Sequence, residues 1–216
     1  MLLSVGASPA AATCETTHQN IEAYAQNNMH TGNRGGIFIN NMNYGDLNDS
    51  IHRSLFIWST SSNNMEIGWT AHNGGHSNPT PYKEWWIYGT DSGVKFIDKA
   101  LLTNDTYNFR VVLTDIVLDE YIFYIDSDQE GVSPATSFYH GWNLTNSERR
   151  NTCDTWYAHF QNLKKCNLGG PNGACDAWDY WGDLQCYVMS SGHAGWYVDK
   201  ISDHEHYVDQ SSGQVC

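Results

Sequence analysis

A glutamate set among apolar residues at strand spacing is where chemistry first suggests itself in this chain. In Met65-Glu66-Ile67-Gly68-Trp69 an extended backbone puts Met65, Ile67 and Trp69 on one face and Glu66, Gly68 and Thr70 on the other. With the apolar set packed into a core, Glu66 stands on the opposite face beside a glycine that leaves room around it. On a concave sheet such a carboxyl can act on a substrate; on an outer strand face it is an ordinary solvated glutamate.

Other side chains invite chemistry more weakly. His72 and His76, and His204 and His206 beside Asp203, have metal-binding side chains. They lack the one-face helical spacing of an H-E-x-x-H site, so they read as loop histidines, as does His193, and no catalytic metal is expected. Asp126-Ser127-Asp128-Gln129-Glu130-Gly131 resembles the first half of a calcium loop, but position twelve is Ser137 rather than a bidentate glutamate. A polar turn is the favoured reading, with a structural calcium near Asp126 and Asp128 as the alternative and no other cofactor expected. Trp85, Trp86 and Tyr88, or Trp178, Tyr180 and Trp181, would make an aromatic platform for a sugar ring, or simply part of an aromatic core. The absence of a Gly-x-Ser-x-Gly elbow, a phosphate loop and a dinucleotide fingerprint argues against esterase and nucleotide chemistry.

The elements that must position these residues are mostly strands. From Gly35 to Ile125 short β-rich runs alternate with Asn, Gly, Asp and Ser clusters, the pattern of an antiparallel sandwich or barrel. Ser54 to Ser59 pairs with Met65 to Thr70 as one expected hairpin, and Tyr107 to Thr114 with Tyr121 to Asp126 as another. Helices are expected at Thr16 to Asn28 and at Ser147 to Lys165, where Ser147 would cap and Trp156, Phe160 and Leu163 recur at helical spacing. Strands return at Gln185 to Met189 and Gly195 to Ile201.

Composition bounds the whole. The 216 residues suit a single domain over 13–216, with 1–12 as the remnant of a secretory signal or a disordered tail. A formal charge of −13, from 24 acidic against 11 basic residues, disfavours nucleic acid and anionic membrane as partners. Six cysteines without a C-x-x-C pair point to three disulfides in an exported protein, four of the six falling in 153–186, a C-terminal flank tied by cross-links.

Taken in order, Gly32-Asn33-Arg34-Gly35-Gly36-Ile37, then Met65-Glu66-Ile67-Gly68-Trp69, then Asn78-Pro79-Thr80-Pro81-Tyr82-Lys83-Glu84-Trp85-Trp86 resemble the neprosin-type glutamic peptidases. That resemblance implies a concanavalin-like antiparallel sandwich of the jelly-roll kind and two catalytic glutamates. Glu66 matches the first. The nearest match to the second is Glu148 in Asn146-Ser147-Glu148-Arg149-Arg150, although the family's preceding Gly-Gly pair is missing. Two such carboxyls would serve as general acid and base in a secreted hydrolase acting on a peptide, with Trp69, Tyr82, Trp85 and Trp86 as substrate-binding aromatics. The alternatives are an extracellular module that binds polysaccharide without catalysis, or a structural subunit of an extracellular assembly.

Overall fold

The computed structural model describes residues 16–26, 29–39, 50–60, 63–72, 82–89, 93–97, 104–115, 120–133, 138–151, 157–167, 175, 177–182, 184–187 and 197–209. In chain order the strands are β1 (Thr16–Ala25), β2 (His30–Ile39), β3 (Ser50–Thr60), β4 (Asn63–His72), β5 (Tyr82–Gly89), β6 (Gly93–Ile97), β7 (Asp105–Asp115) and β8 (Glu120–Ile125). They continue as β9 (Asp128–Val132), β10 (Trp142–Asn151), β11 (Ala158–Asn167), β12 (Asp179–Tyr180), β13 (Leu184–Tyr187), β14 (Tyr197–Ser202) and β15 (Glu205–Asp209). A seven-stranded sheet runs β13-β1-β10-β3-β4-β5-β6, and an eight-stranded sheet runs β14-β15-β11-β2-β7-β8-β9 with β12 beside β11. Every pairing is antiparallel, so the expected antiparallel sandwich is the observed one.

Alternation builds the core between the sheets. Ile21, Ala23, Leu55, Ile57, Met65, Ile67 and Trp69 from the first sheet meet Ile37, Ile39, Phe109, Val111, Phe123 and Phe160 from the second, all buried. Each of these strands therefore turns one apolar face to the core, and its other face points away from it, although on β4 Glu66, Gly68 and Thr70 of that second face are buried too.

Polar side chains stitch the sheets together where the site is built. Asn33 Nδ2 on β2 donates to the carbonyls of Phe56 (2.7 Å) on β3 and Leu144 (3.0 Å) on β10. Asn143 Nδ2 on β10 returns a bond to Gly32 O at 2.8 Å. Thr145 Oγ1 shares a 3.0 Å hydrogen bond with His206 Nε2 on β15. Arg53 Nη1 donates to the carbonyls of His52 and Glu148, tying β3 to β10. The bonds of Asn33 to Leu144, Asn143 to Gly32 and Thr145 to His206 are buried at both ends, and such bonds fix register because breaking one strands a desolvated polar group.

Where they are described, both expected helices are strands, and Trp156 lies outside the described residues. In β1 the period is two, with Ile21, Ala23 and Ala25 buried against the core, and the strand lies between β13 and β10. Ser147 is a buried residue inside β10 rather than a cap, and no helix occurs among the described residues. The helix-like spacing of Phe160 and Leu163 comes from a bulge in β11: the register with β2 shifts between Gln161 and Lys164, and Asn162 has φ 53°. One extra residue turns a period of two into a step of three. The Ser127 turn joins β8 to β9, with Asp126 at φ 55° and its Oδ1 accepting from Asn108 N at 3.0 Å. Cys166–Cys175 is a disulfide. Residues 1–12, Cys14, Cys153, Cys216, His76 and His193 lie outside the described residues, and the side chain of Cys186 is not described.

Candidate active site

The open face of the seven-stranded sheet is read directly from its registers. Tyr24, Leu144, Phe56 and Glu66 form one row across β1, β10, β3 and β4; Glu22, Asn146, Ser54 and Gly68 form the next; Asn20, Glu148, His52 and Thr70 the one after. Above the first row lie Trp142, Trp58 and Asn64. A groove of about 500 Å³ runs over these rows, lined by Tyr24, Phe56, Trp58, Trp142 and Leu144 at one end and by Asn20, Glu22, Asn146 and Glu148 at the other, with Asn64 on its flank. Trp58 and Trp142 stack at 5.5 Å between centroids.

Among the residues whose side chains are described, Glu22, Glu66 and Glu148 share this face, and the register puts Glu84 of β5 opposite Thr70 in the same row. Glu66 is 5 % exposed and forms part of the sheet under the groove rather than its lining. Ser54 Oγ donates to its Oε1. Burial holds the Glu66 carboxyl well above the usual carboxylate range; the Ser54 hydrogen bond opposes this, and the charges of Glu148 and Glu22 add to it. Glu22 is pushed up to about 7, first by burial and then by Glu148. His52 Nε2 lies 4.0 Å from Glu148 Oε1. The face thus combines two carboxyls whose neutral form burial favours with a third, Glu148, whose charge raises both, the kind of contrast that acid and base catalysis needs.

Gly68 has a local reason. A side chain built there would meet Arg53 O at 2.1 Å and Ser54 Cα at 2.7 Å, so the glycine permits the close approach of β3 that places Ser54 against Glu66.

No protein-family description and no curated protein matches this sequence. Solved structures do. Scytalido-glutamic peptidase, bound to a peptide-based transition-state analogue, aligns over 91 % of this chain and 99 % of its own with a TM-score of 0.59 at 8 % identity. SCP-B, an eqolisin-family peptidase bound to the tripeptide Ala-Ile-His, aligns over the same shares with a TM-score of 0.58 at 7 % identity. This chain has a glutamic-peptidase-like fold. At such identity the likeness is one of fold, and it answers the neprosin resemblance with a peptidase-like β-sandwich rather than with that family.

On this fold, Glu66 and Glu148 lie on one face, four residues apart along the strands and two strands across. Trp69 is a correction: it is fully buried between the sheets, on the face the alternation assigns to the core, and touches no groove. Tyr82, Trp85 and Trp86 are in β5, with Trp86 opposite Gly68 and Trp85 opposite Trp69, while their side chains lie outside those described. Trp181 is buried and Tyr180 is 48 % exposed, so those two do not share a platform. Among the described residues no group of three His, Cys, Asp or Glu is placed to hold a metal. Glu22, Tyr24, Trp58 and Trp142 are site residues that sequence reading passed over. The alternation of Asn20, Glu22 and Tyr24 with Ile21, Ala23 and Ala25 was the available signal for the first two.

Proposed function

We propose that the chain is an extracellular hydrolase that cleaves peptide bonds, with Glu148 as general base and Glu66 as general acid. The observation that carries this reading is the placement of a buried Glu66 and a groove-lining Glu148 on the same open sheet face. In the proposed reaction Glu148 takes a proton from a water whose oxygen attacks the peptide carbonyl carbon. The Glu66 proton passes to the leaving nitrogen as the C–N bond breaks, and the pair then exchanges protonation states back. The glutamic-peptidase-like fold supports a peptide as substrate, and the Cys166–Cys175 disulfide supports an oxidising compartment.

The test is cleavage of a mixed peptide library at mildly acid pH by the wild type, Glu148→Gln and Glu66→Gln. The proposal expects both variants to lose about a hundredfold or more in kcat/KM, the usual contribution of a positioned acid or base. Glu22 favours a second pairing, because it lines the groove and Glu66 does not. Full activity in Glu66→Gln with loss in Glu22→Gln would transfer the acid role to Glu22. Binding of oligosaccharides to the Trp58–Trp142 end with no peptide cleavage would instead support the non-catalytic module.

A further inference from the structure

The opposite side of the molecule carries an unrelated feature. On the outer face of the eight-stranded sheet the registers place Tyr180, Lys164, Arg34, Arg110 and Tyr124 in one row crossing five strands. Three cations in adjacent positions are a notable concentration in a chain with 11 basic residues and a net charge of −13. Like charges directly opposite one another destabilise a sheet. Here they are held by rings: Arg110 Cζ lies 3.7 Å from the centroid of Tyr124, Lys164 Nζ 4.5 Å from that of Tyr180, and Arg34 Cζ 5.4 Å from that of Trp178. None of the three has a carboxylate partner among the described residues. The Arg110 Nε is buried with no hydrogen-bond partner among them. A desolvated guanidinium N–H left open is costly, and since Nε lies beneath the surface it is the remainder of the half-buried Arg110 side chain that an outside anion can meet.

We propose that this row binds an acidic polysaccharide, a chain bearing carboxylate or sulfate groups on successive sugars, laid across the strands along Lys164, Arg34 and Arg110. Charge complementarity favours that ligand. Lys164 leans over Tyr180 and Arg110 over Tyr124, toward opposite ends of the row with Arg34 between them, so the cations form a series along which a chain with an acidic group on successive sugars can lie. Nucleic acid is disfavoured because the faces of Trp178, Tyr124 and Tyr180 are taken up by cations and offer no stacking platform for bases. The site lies on the other sheet from the groove, so it stands or falls independently of the hydrolase reading.

Affinity electrophoresis through gels containing polygalacturonate, a sulfated galactan or an uncharged galactan tests it. The proposal expects retardation by one or both charged polymers, separating carboxylate from sulfate, and none by the uncharged one. Arg34→Gln/Arg110→Gln is expected to weaken binding by about tenfold or more, the loss of charge-assisted hydrogen bonds, while Arg34→Lys/Arg110→Lys keeps the charge and stays retarded. Should the glutamine pair fail to fold by circular dichroism, Lys164→Gln carries the same comparison at the end of the row. Absence of retardation, equal retardation of folded wild type and charge-removed variants, or tighter binding of poly-glutamate or oligothymidylate in competition would overturn the proposal.

Discussion

Glu66 is a buried carboxyl whose neutral form the fold prefers, and this has a thermodynamic sign. Its folded-state value lies above the ordinary 4.5, so its contribution to stability is complete below that pH and is lost as pH rises through the raised value. Glu66→Gln keeps the shape and cannot ionise. It is expected to match the wild type near pH 4 and to exceed it in urea midpoint at pH 8; equal midpoints at both values would refute the burial argument. Glu22 acts through its charge on the same group. Because an ionised Glu22 raises Glu66, Glu22→Gln should move the alkaline limb of the proposed activity to lower pH, and a limb that stays in place or moves up would show that the two are uncoupled.

Strands β3, β4 and β10 set the geometry, and β3 to β4 depends on Gly68. Gly68→Ala would put a methyl against Arg53 O and Ser54, so it should destabilise the protein by about 1–3 kcal/mol, the typical cost of overpacking, and detach Ser54 from Glu66. Thermal melts of Gly68→Ala beside Ser54→Ala separate these effects; an unchanged Gly68→Ala midpoint would contradict the close approach. The β3 to β4 hairpin was legible in the sequence because Met65, Ile67 and Trp69 alternate cleanly and Ser, Thr and Asn fill the turn. Glu66's face was legible for the same reason, whereas β1 and β10 were not. Ser147 resembles a helix cap, the bulge at Asn162 mimics a helical step, and cross-strand partners more than a hundred residues away decide the outcome, as in Asn146 opposite Glu22. Misreading β1 as a helix is what concealed Glu22.

Over the whole molecule, buried histidines oppose the buried glutamates. His206 is pulled down to about 3 by burial and by the nearby His159, and His30 to about 4 by burial and Lys165. A histidine held below its ordinary 6.5 contributes fully above that pH, and its contribution is lost as pH falls toward the folded value. Glu22 and Glu66 slope the other way above 4.5, so stability should change little between pH 4.5 and 6.5 and fall below that window. In His206→Gln the loss on going from pH 6.5 to 3.5 should be smaller than in the wild type, although the Thr145 bond and the stack on Phe160 are weakened at every pH; parallel pH profiles would contradict the assignment. The central claim is that Glu66 senses the charge of Glu148 across one sheet face. The direct measurement is the carboxyl titration of Glu66 by carbon-detected NMR in the wild type and in Glu148→Gln. A value well above 4.5 that drops when Glu148 is neutralised is the predicted result; an ordinary value, or a raised one indifferent to Glu148, would contradict the account.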